Sequence, residues 1–484
     1  MNAIMVQGTS SWAGKSLITT ALCRHFSRRG LRVAPFKAQN MSNNARVVAG
    51  GEIGTAQYLQ AIAARATPDV RMNPVLIKPE GDTRSQVVIN GTPDPDVAAI
   101  PWRDRSPRLW PTMESSLRSL MREYDIVILE GAGSPAEINL SDCDMTNLRA
   151  AEAADAAVLM VTDINRGGAF AHLYGTWGLM TPEDRARISG FILNRFRGDP
   201  GLLSPAPERL TELTGVPFVG LVPWLRHELP DEDGVATPRP DPDSARPVVR
   251  VVHYPTASNL DELKPLERVA DLRFIRDPAD LADADLILLP GSKHVAEDLG
   301  WLRDAGFEDR LRRAAAAGTR ILGICGGLQM LGERISDPAG VDGTAAGLGL
   351  LPVRTEFRSD KLTERAAVSF VAEMPGPWSA LAGLEWTGYE IRHGRTASPD
   401  GSAAVLHDRR GWAAGSVLGI TLHGIFEDPE IVRTMFAGET AFSLDRVIDD
   451  LTDRVMASLD IEAIDRIAGL TAAAAGVQTA ADSG

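Results

Sequence analysis

Two stretches of this 484-residue chain place reactive residue types where they could do chemistry. The first is RILGICGGLQMLG, Arg320–Gly332. An apolar run that reads as a buried strand ends there, a helix pattern begins, and Cys325 stands between them with glycine at 323, 326 and 327. Small neighbours at a strand-to-helix turn let a strained elbow push a nucleophile into the open. A helix N-terminus favours the thiolate, the reactive form of cysteine. The N–H of Gly326 is placed to help hold an oxyanion, and Gly291 in LLPGSK, about one βα unit upstream, offers a second donor. The nucleophile needs a base, and His423 in GITLHGIF stands at the end of another strand run. Cys23, on the apolar side of the first helix, reads instead as a small core residue.

The second stretch is GTSSWAGKS, Gly8–Ser16. A phosphate-binding loop has four residues between its first glycine and the Gly-Lys pair. Here five separate Gly8 from Gly14, and Thr9 stands where that first glycine is expected. The context is still right: a strand ends, a helix begins, Lys15 brings a full charge, and Ser16 in the first turn can ligate magnesium. The alternative is a glycine turn with an exposed lysine. A metal needs a further acid, and Glu130 in LEGAGS supplies one at a strand end, unless it only caps a turn. Glu52 in GGEIGTAQ is a further candidate ligand. KAQNMSNNAR gathers Lys37, Gln39, Asn40, Asn43, Asn44 and Arg46, a dense set of partners for carboxylates or phosphates, or else a polar loop bonding its own backbone. Asp144 in SDCDMTN either faces a substrate or caps a turn, and the NRGGAF loop around Arg166 sits at a strand end.

These residues need a scaffold, and the chain supplies two. AIMVQG, a helix pattern closing at Gly30, and LRVAPFK form a βαβ unit. YDIVILEGAGS, AAVLMVTDI, ISGFILN and PFVGLVP continue it, so residues 1–230 read as one α/β domain. The proline- and acid-rich segment 231–247 reads as a linker. VVRVVHY, LRFI, DLILLPG and TRILGICGG then open a second α/β domain, 248–437, and 438–484 reads as a helical extension with an alanine-rich tail. The net charge of −14 argues against general nucleic-acid affinity. Three scattered cysteines make no disulfide framework. Met1–Val6 runs straight into the loop with no secretory signal, and no apolar run reaches the length of about 20 residues that spans a bilayer. A cytoplasmic protein with no membrane or nucleic-acid partner is expected, and a homo-oligomer stays open.

The opening loop resembles that of dethiobiotin synthetase and its relatives, G-T-x-x-x-x-G-K-[ST], which carries the extra residue. Partitioning ATPases carry a second lysine early in the loop, where Ser10 and Ser11 stand here. That resemblance implies ATP, with Glu130 on magnesium. The elbow cysteine, late histidine and upstream glycine loop resemble a class I glutamine amidotransferase, which implies a flavodoxin-like domain that takes ammonia from glutamine. One departure stands out. Most members carry a glutamate two residues after the histidine, and here that position is Ile425, with Glu427 out of register. Either Cys325 and His423 work as a pair, or another group orients the imidazole.

PFKAQNMSNNA, MNPVLIKP, EGAGSPAEINL, DINRGGAFAHLYGT, GFILNRFRGD, LPGSKHVAEDL, GICGGLQMLG, GYEIRHGRT and LHGIFED, in order along nearly the whole chain, resemble the signature blocks of the glutamine-hydrolysing cobyric acid synthase family. The resemblance implies two doubly wound α/β domains and amidation of the b, d, e and g carboxylates of adenosylcobyrinic acid a,c-diamide, with ATP and glutamine consumed. A polyanionic corrinoid needs a polar lining, which Lys37, Gln39, Asn40 and Asn43 could supply and to which Asp144 belongs if it does not cap its turn. In GYEIRHG, Tyr389 and His393 fall near the glutaminase strands; many relatives have His where Arg392 stands. Two other readings stay open: an amidotransferase for another carboxylate, such as the a and c positions of cobyrinic acid or a cell-wall precursor, and a nucleotide switch with an inert second domain.

Overall fold

The computed structural model describes residues 2–80, 84–230, 246–399, 403–436 and 442–470. The first domain is built on a six-stranded parallel sheet. Its spatial order is Phe218–Pro223, Ile188–Phe196, Ala157–Asp163, Asn2–Gly8, Ile126–Glu130, Val33–Phe36. The apolar runs of the sequence become these strands because a parallel sheet covered on both faces leaves no polar side. The period of two divides each strand between two cores. Ala3 and Met5 join one apolar cluster with Leu117 and Leu120, while Ile4 and Val6 join another with Ile18, Leu22 and Phe26.

That second cluster also contains Val447, Ile448, Leu451, Val455 and Ile464. Helices Leu444–Met456 and Ile461–Ile467, which follow the second domain in the chain, therefore lie on the first. Arg28 pairs with Asp449 at 2.7 Å, and Arg24 and Arg29 pair with Asp445 and Asp465. Asp460 N–H donates to the Val219 carbonyl at 2.8 Å, so the returning segment also covers an edge strand.

The second domain holds another six-stranded sheet, ordered Asp271–Ile275, Val248–Val252, Leu286–Leu289, Arg320–Ile324, Val417–Ile420, Gly411–Ala414. Only the last strand is antiparallel. By chain order the five parallel strands run two, one, three, four, five, the flavodoxin-like arrangement. The α/β, doubly wound expectation holds for both domains. Residues 231–245 of the expected linker and the tail 471–484 lie outside the described residues.

Beside the second sheet, Arg354–Ser369 and Glu385–Ala397 form a long antiparallel hairpin. It packs against a short hairpin of the first domain, Ala45–Val48 with Gly51–Gly54. A cavity of about 940 Å³ opens between them, with Gly51, Gln86, Asp94, Lys361, Arg365 and His393 among its lining residues.

Candidate functional site

Ligands of open α/β sheets bind beyond the carboxyl ends of the strands, and both sets of candidate residues lie there. In the first domain, Gly8 ends its strand and Lys15 opens helix Lys15–Arg28. Gly14 holds φ 103°, a left-handed conformation that favours glycine. A Cβ there would also lie 1.9 Å from Asn194 Nδ2, which donates to the Ala13 carbonyl. The loop is thus closed against the sheet at a point where only glycine fits. The Lys15 ammonium donates to the carbonyls of Ser10 and Gly133, each at 3.0 Å, and so bridges the loop and the LEGAGS segment. Thr9 Oγ1 bonds Thr162 Oγ1 at 2.9 Å across the strand ends.

Glu130 is buried, and its carboxylate accepts from Ser16 Oγ at 3.0 Å, from Lys37 Nζ at 2.8 Å and from Gln60. Burial alone would raise its pKa. The Lys37 ammonium, the Gln60 amide and Lys15 outweigh burial and hold the carboxyl below its ordinary value. A hydroxyl and a charged carboxylate meeting at a helix start are the hard oxygen donors that magnesium takes, so Ser16 and Glu130 fit that ion. Glu52 does not join them. Its carboxylate is sealed between Lys78 and Lys361, which occupy both oxygens and hold its pKa at about 2 despite burial. Glu52 lies instead at the domain contact, an ion-pair residue between a lysine of each domain, and no hydrogen bond or ion pair among the described residues joins it to Ser16 or Glu130.

The polar loop divides. Lys37 reaches Glu130 in the nucleotide crevice. Gln39 lies on the short strand Gln39–Met41, and Asn40 Oδ1 accepts from the Met41 N–H at 3.0 Å. Asn43 is half-buried, and its Oδ1 has no hydrogen-bond partner among the described residues. Asn44 and Arg46 point to the other domain. Asp144 Oδ1 accepts the N–H groups of Thr146 and Asn147 at 2.9 and 2.8 Å, which is the capping alternative. Arg166 pairs with Asp163 at 3.4 Å.

In the second domain Cys325 sits at φ 51°, ψ −103°, a strained turn for a residue with a Cβ, between strand Arg320–Ile324 and helix Gly326–Leu331. Glycine neighbours make that turn feasible. A Cβ at Gly326 would lie 2.6 Å from the Ser292 nitrogen, and one at Gly291 would lie 2.8 Å from His423 Cε1. Gly291, Gly326, Cys325 and His423 therefore close on one another. Asp298 pins the Gly291 loop, accepting from Ser292 Oγ and Thr256 Oγ1, each at 2.6 Å.

His423 lies beside Cys325, whose charge acts on the imidazole, and is 2% exposed. Its other face settles the question the sequence left open. Glu262, fully buried, brings Oε1 to 2.7 Å from His423 Nδ1, while Oε2 accepts the Gly424 N–H. Burial disfavours the imidazolium, but Glu262 and Cys325 outweigh it and raise the His423 pKa to about 10. Cysteine, histidine and carboxylate thus line up in a chain, with the carboxylate hydrogen-bonded to the imidazole and fixing it as in other triads. Glu427 takes no part in that chain and pairs with Arg46 instead. Gln60 and Glu262 were the residues that sequence reasoning missed. The available signal for Glu262 was an acidic pair in NLDEL beyond the carboxyl end of the first strand of this sheet. Cys23 lies in the core, where burial pushes its thiol pKa up. His393 bonds the Arg358 carbonyl at 3.1 Å and lines the cavity between the hairpins.

Comparison with known proteins agrees with this division. Residues 4–233 match the CobQ/CobB/MinD/ParA nucleotide binding domain, and residues 248–431 match the CobB/CobQ-like glutamine amidotransferase domain. The cobyric acid synthase of Paracidovorax citrulli is 55% identical over 473 residues, 93% of this chain and 95% of that protein. That of Variovorax paradoxus is 54% identical over 461 residues, with 93% and 96% covered, and that of a Polaromonas species 51% identical over 486 residues, with 94% and 96% covered. A nucleotide crevice and a cysteine site in one chain, matched along nearly its whole length, place it: the chain belongs to the cobyric acid synthase family.

Proposed function

We propose that the protein amidates the b, d, e and g carboxylates of adenosylcobyrinic acid a,c-diamide, using ATP and ammonia drawn from glutamine. The observation that carries this reading is the Cys325–His423–Glu262 constellation, in one chain with the Lys15–Ser16–Glu130 crevice. The Cys325 thiolate attacks the side-chain carbonyl of glutamine, and the Gly291 and Gly326 N–H groups receive the oxyanion. His423, held protonated at neutral pH by Glu262, gives its proton to the departing ammonia, leaving a thioester that water cleaves to glutamate.

In the other domain a corrinoid carboxylate oxygen attacks the γ-phosphorus of ATP, and ADP leaves. Ammonia then attacks the acyl carbon, loses a proton, and phosphate departs with the acyl oxygen. The protein's part in phosphoryl transfer is positioning and charge neutralisation. Lys15 supplies a cation at the loop, and Lys37 holds Glu130 ionised. Ser16 and Glu130 would hold magnesium, which would supply further positive charge for the phosphates.

Lys37, Gln39, Asn40 and Asn43 are kept as corrinoid or phosphate contacts. Three free cysteines suit a reducing cytoplasm, and no helix among the described residues is long and apolar enough to cross a membrane. The test is a mass shift. Wild type given the diamide, ATP and magnesium gains amides from either glutamine or ammonium, and Cys325→Ala gains them from ammonium alone. ATP hydrolysis with no change in corrinoid mass would send the assignment to another carboxylate substrate. ATP turnover with no glutamate release would favour the nucleotide switch.

A further inference from the structure

Arg46 belongs to the first domain, yet its buried side chain reaches into the second, next to the residues that flank His423. Its guanidinium pairs with Asp261 and Glu427 of the second domain. It also lies 5.1 Å from the centroid of the Tyr389 ring. That ring stacks on His423, 5.3 Å between centroids and 24° between planes. Tyr389 and His423 further exchange backbone hydrogen bonds of 2.8 and 3.1 Å. Asp261 is the residue before Glu262, and both lie in the first turn of the 3-10 segment Leu260–Arg268.

The start of that segment is held from the same side. Asn44 Oδ1 accepts the Asn259 N–H at 2.8 Å, and Asn259 Oδ1 accepts the Ala45 N–H at 3.3 Å. Asn259 sits at φ 56°, where the turn begins. The segment that delivers Glu262 is therefore tied to the other domain at its first residue and at the neighbouring carboxylate. Two adjacent buried carboxylates are tolerated only if each has a partner. Arg46 takes Asp261 and leaves Glu262 to His423. A planar guanidinium can grip two carboxylates and an aromatic face at once, which a lysine ammonium cannot.

We propose that Arg46 is a positioning residue for the glutaminase, supplied by the nucleotide-binding domain: it fixes the Glu262 turn and the Tyr389–His423 stack, so that the cysteine site is complete only when the two domains are joined. The proposal rests on the glutamine-hydrolysing reading of Cys325. The test uses the full chain carrying Arg46→Gln or Arg46→Lys, with Asn44→Ala as a variant that keeps every charge. Three rates are read: glutamate release from glutamine, alkylation of Cys325 by a glutamine-like chloroketone followed to completion, and amidation driven by glutamine or by ammonium.

In Arg46→Gln the rate constants of glutamate release and alkylation are expected to fall by about tenfold or more, with the KM for glutamine within about twofold of wild type and the final alkylation still stoichiometric. Arg46→Lys recovers part of the rate, and Asn44→Ala shows a smaller loss of the same kind. An unchanged alkylation rate constant with a lower final extent would mean lost fold and would overturn the proposal. So would an ammonium-driven amidation that falls as far as the glutamine-driven one, which would place the arginine on the corrinoid side. If the glutaminase reading itself is wrong, wild type releases no glutamate and Cys325 ignores the chloroketone, a result separable from either.

Discussion

At the scale of single residues, the cysteine site turns on Glu262. A buried imidazole would by itself shed its proton, and the carboxylate at 2.7 Å reverses that tendency. Glu262→Gln keeps the shape and removes the charge, so the His423 pKa should drop from about 10 toward its unperturbed value of about 6.5. The alkaline limb of glutamate release should move down in step, and kcat should fall by about 10²–10⁴-fold. A pH profile of kcat checks both. Stability follows the same linkage. The folded pKa is raised, so this group's contribution is whole below about pH 6.5 and fades as pH climbs through about 10. Denaturant midpoints at neutral and alkaline pH should show that decline in wild type and a shallower one in Glu262→Gln. The sequence made Cys325 and His423 readable because glycine spacing and strand ends are local signals. It could not show Glu262, which lies 161 residues before His423 and meets it only through the sheet order.

Secondary-structure elements place these residues at strand ends. The first strand ends at Gly8 and the helix starts at Lys15, and Gly14 makes that junction possible. Gly14→Ala would force a Cβ into the left-handed region at about 1–2 kcal/mol and against the Asn194 amide. Nucleotide affinity measured by calorimetry should weaken by about tenfold or more, while glutamate release stays at the wild-type rate. A loss of glutamate release in this variant would mean that the two sites are not separable in this way. The sheet strands were legible because apolar runs bounded by glycine, proline and polar residues have few other uses. The long hairpin was not, since RTEFRSDKLTERAAVS alternates burial over only part of its length and reads as a polar stretch.

Across the whole molecule, the two domains meet through charges that neither could bury alone. Glu52 is fully buried between Lys78 of its own domain and Lys361 of the other. Lys293 joins from the second domain, bonding Gln86 at 3.1 Å and pairing with Glu80 at 3.4 Å. Burial lowers the Lys78 pKa to about 7, and Glu52 only partly offsets it. Glu52→Gln leaves Lys78 and Lys361 without their shared counter-charge, and a loss of about 3–5 kcal/mol is expected in denaturant unfolding. Were Glu52 a metal ligand instead, the same change would weaken magnesium dependence and leave stability nearly unaltered. The C-terminal helices bind the assembly a second time, since their apolar residues 447, 448, 451 and 455 complete a core on the first domain.

What the sequence determined by itself is what short-range sterics and period determine: strands as apolar runs, a phosphate loop at a glycine-lysine junction, and an elbow where glycines surround a cysteine. Each depends on residues within a turn of one another. The remaining features involve groups far apart in the chain. Glu262 became the partner of His423, Glu52 became an interdomain counter-ion, and Asn44 and Arg46 turned away from the crevice toward the neighbouring domain. The physical reason is the same in all three. A buried charge takes whichever opposite charge or donor the folded chain brings within hydrogen-bond reach. That partner is set by how the sheets and domains pack, and no spacing along the chain records it.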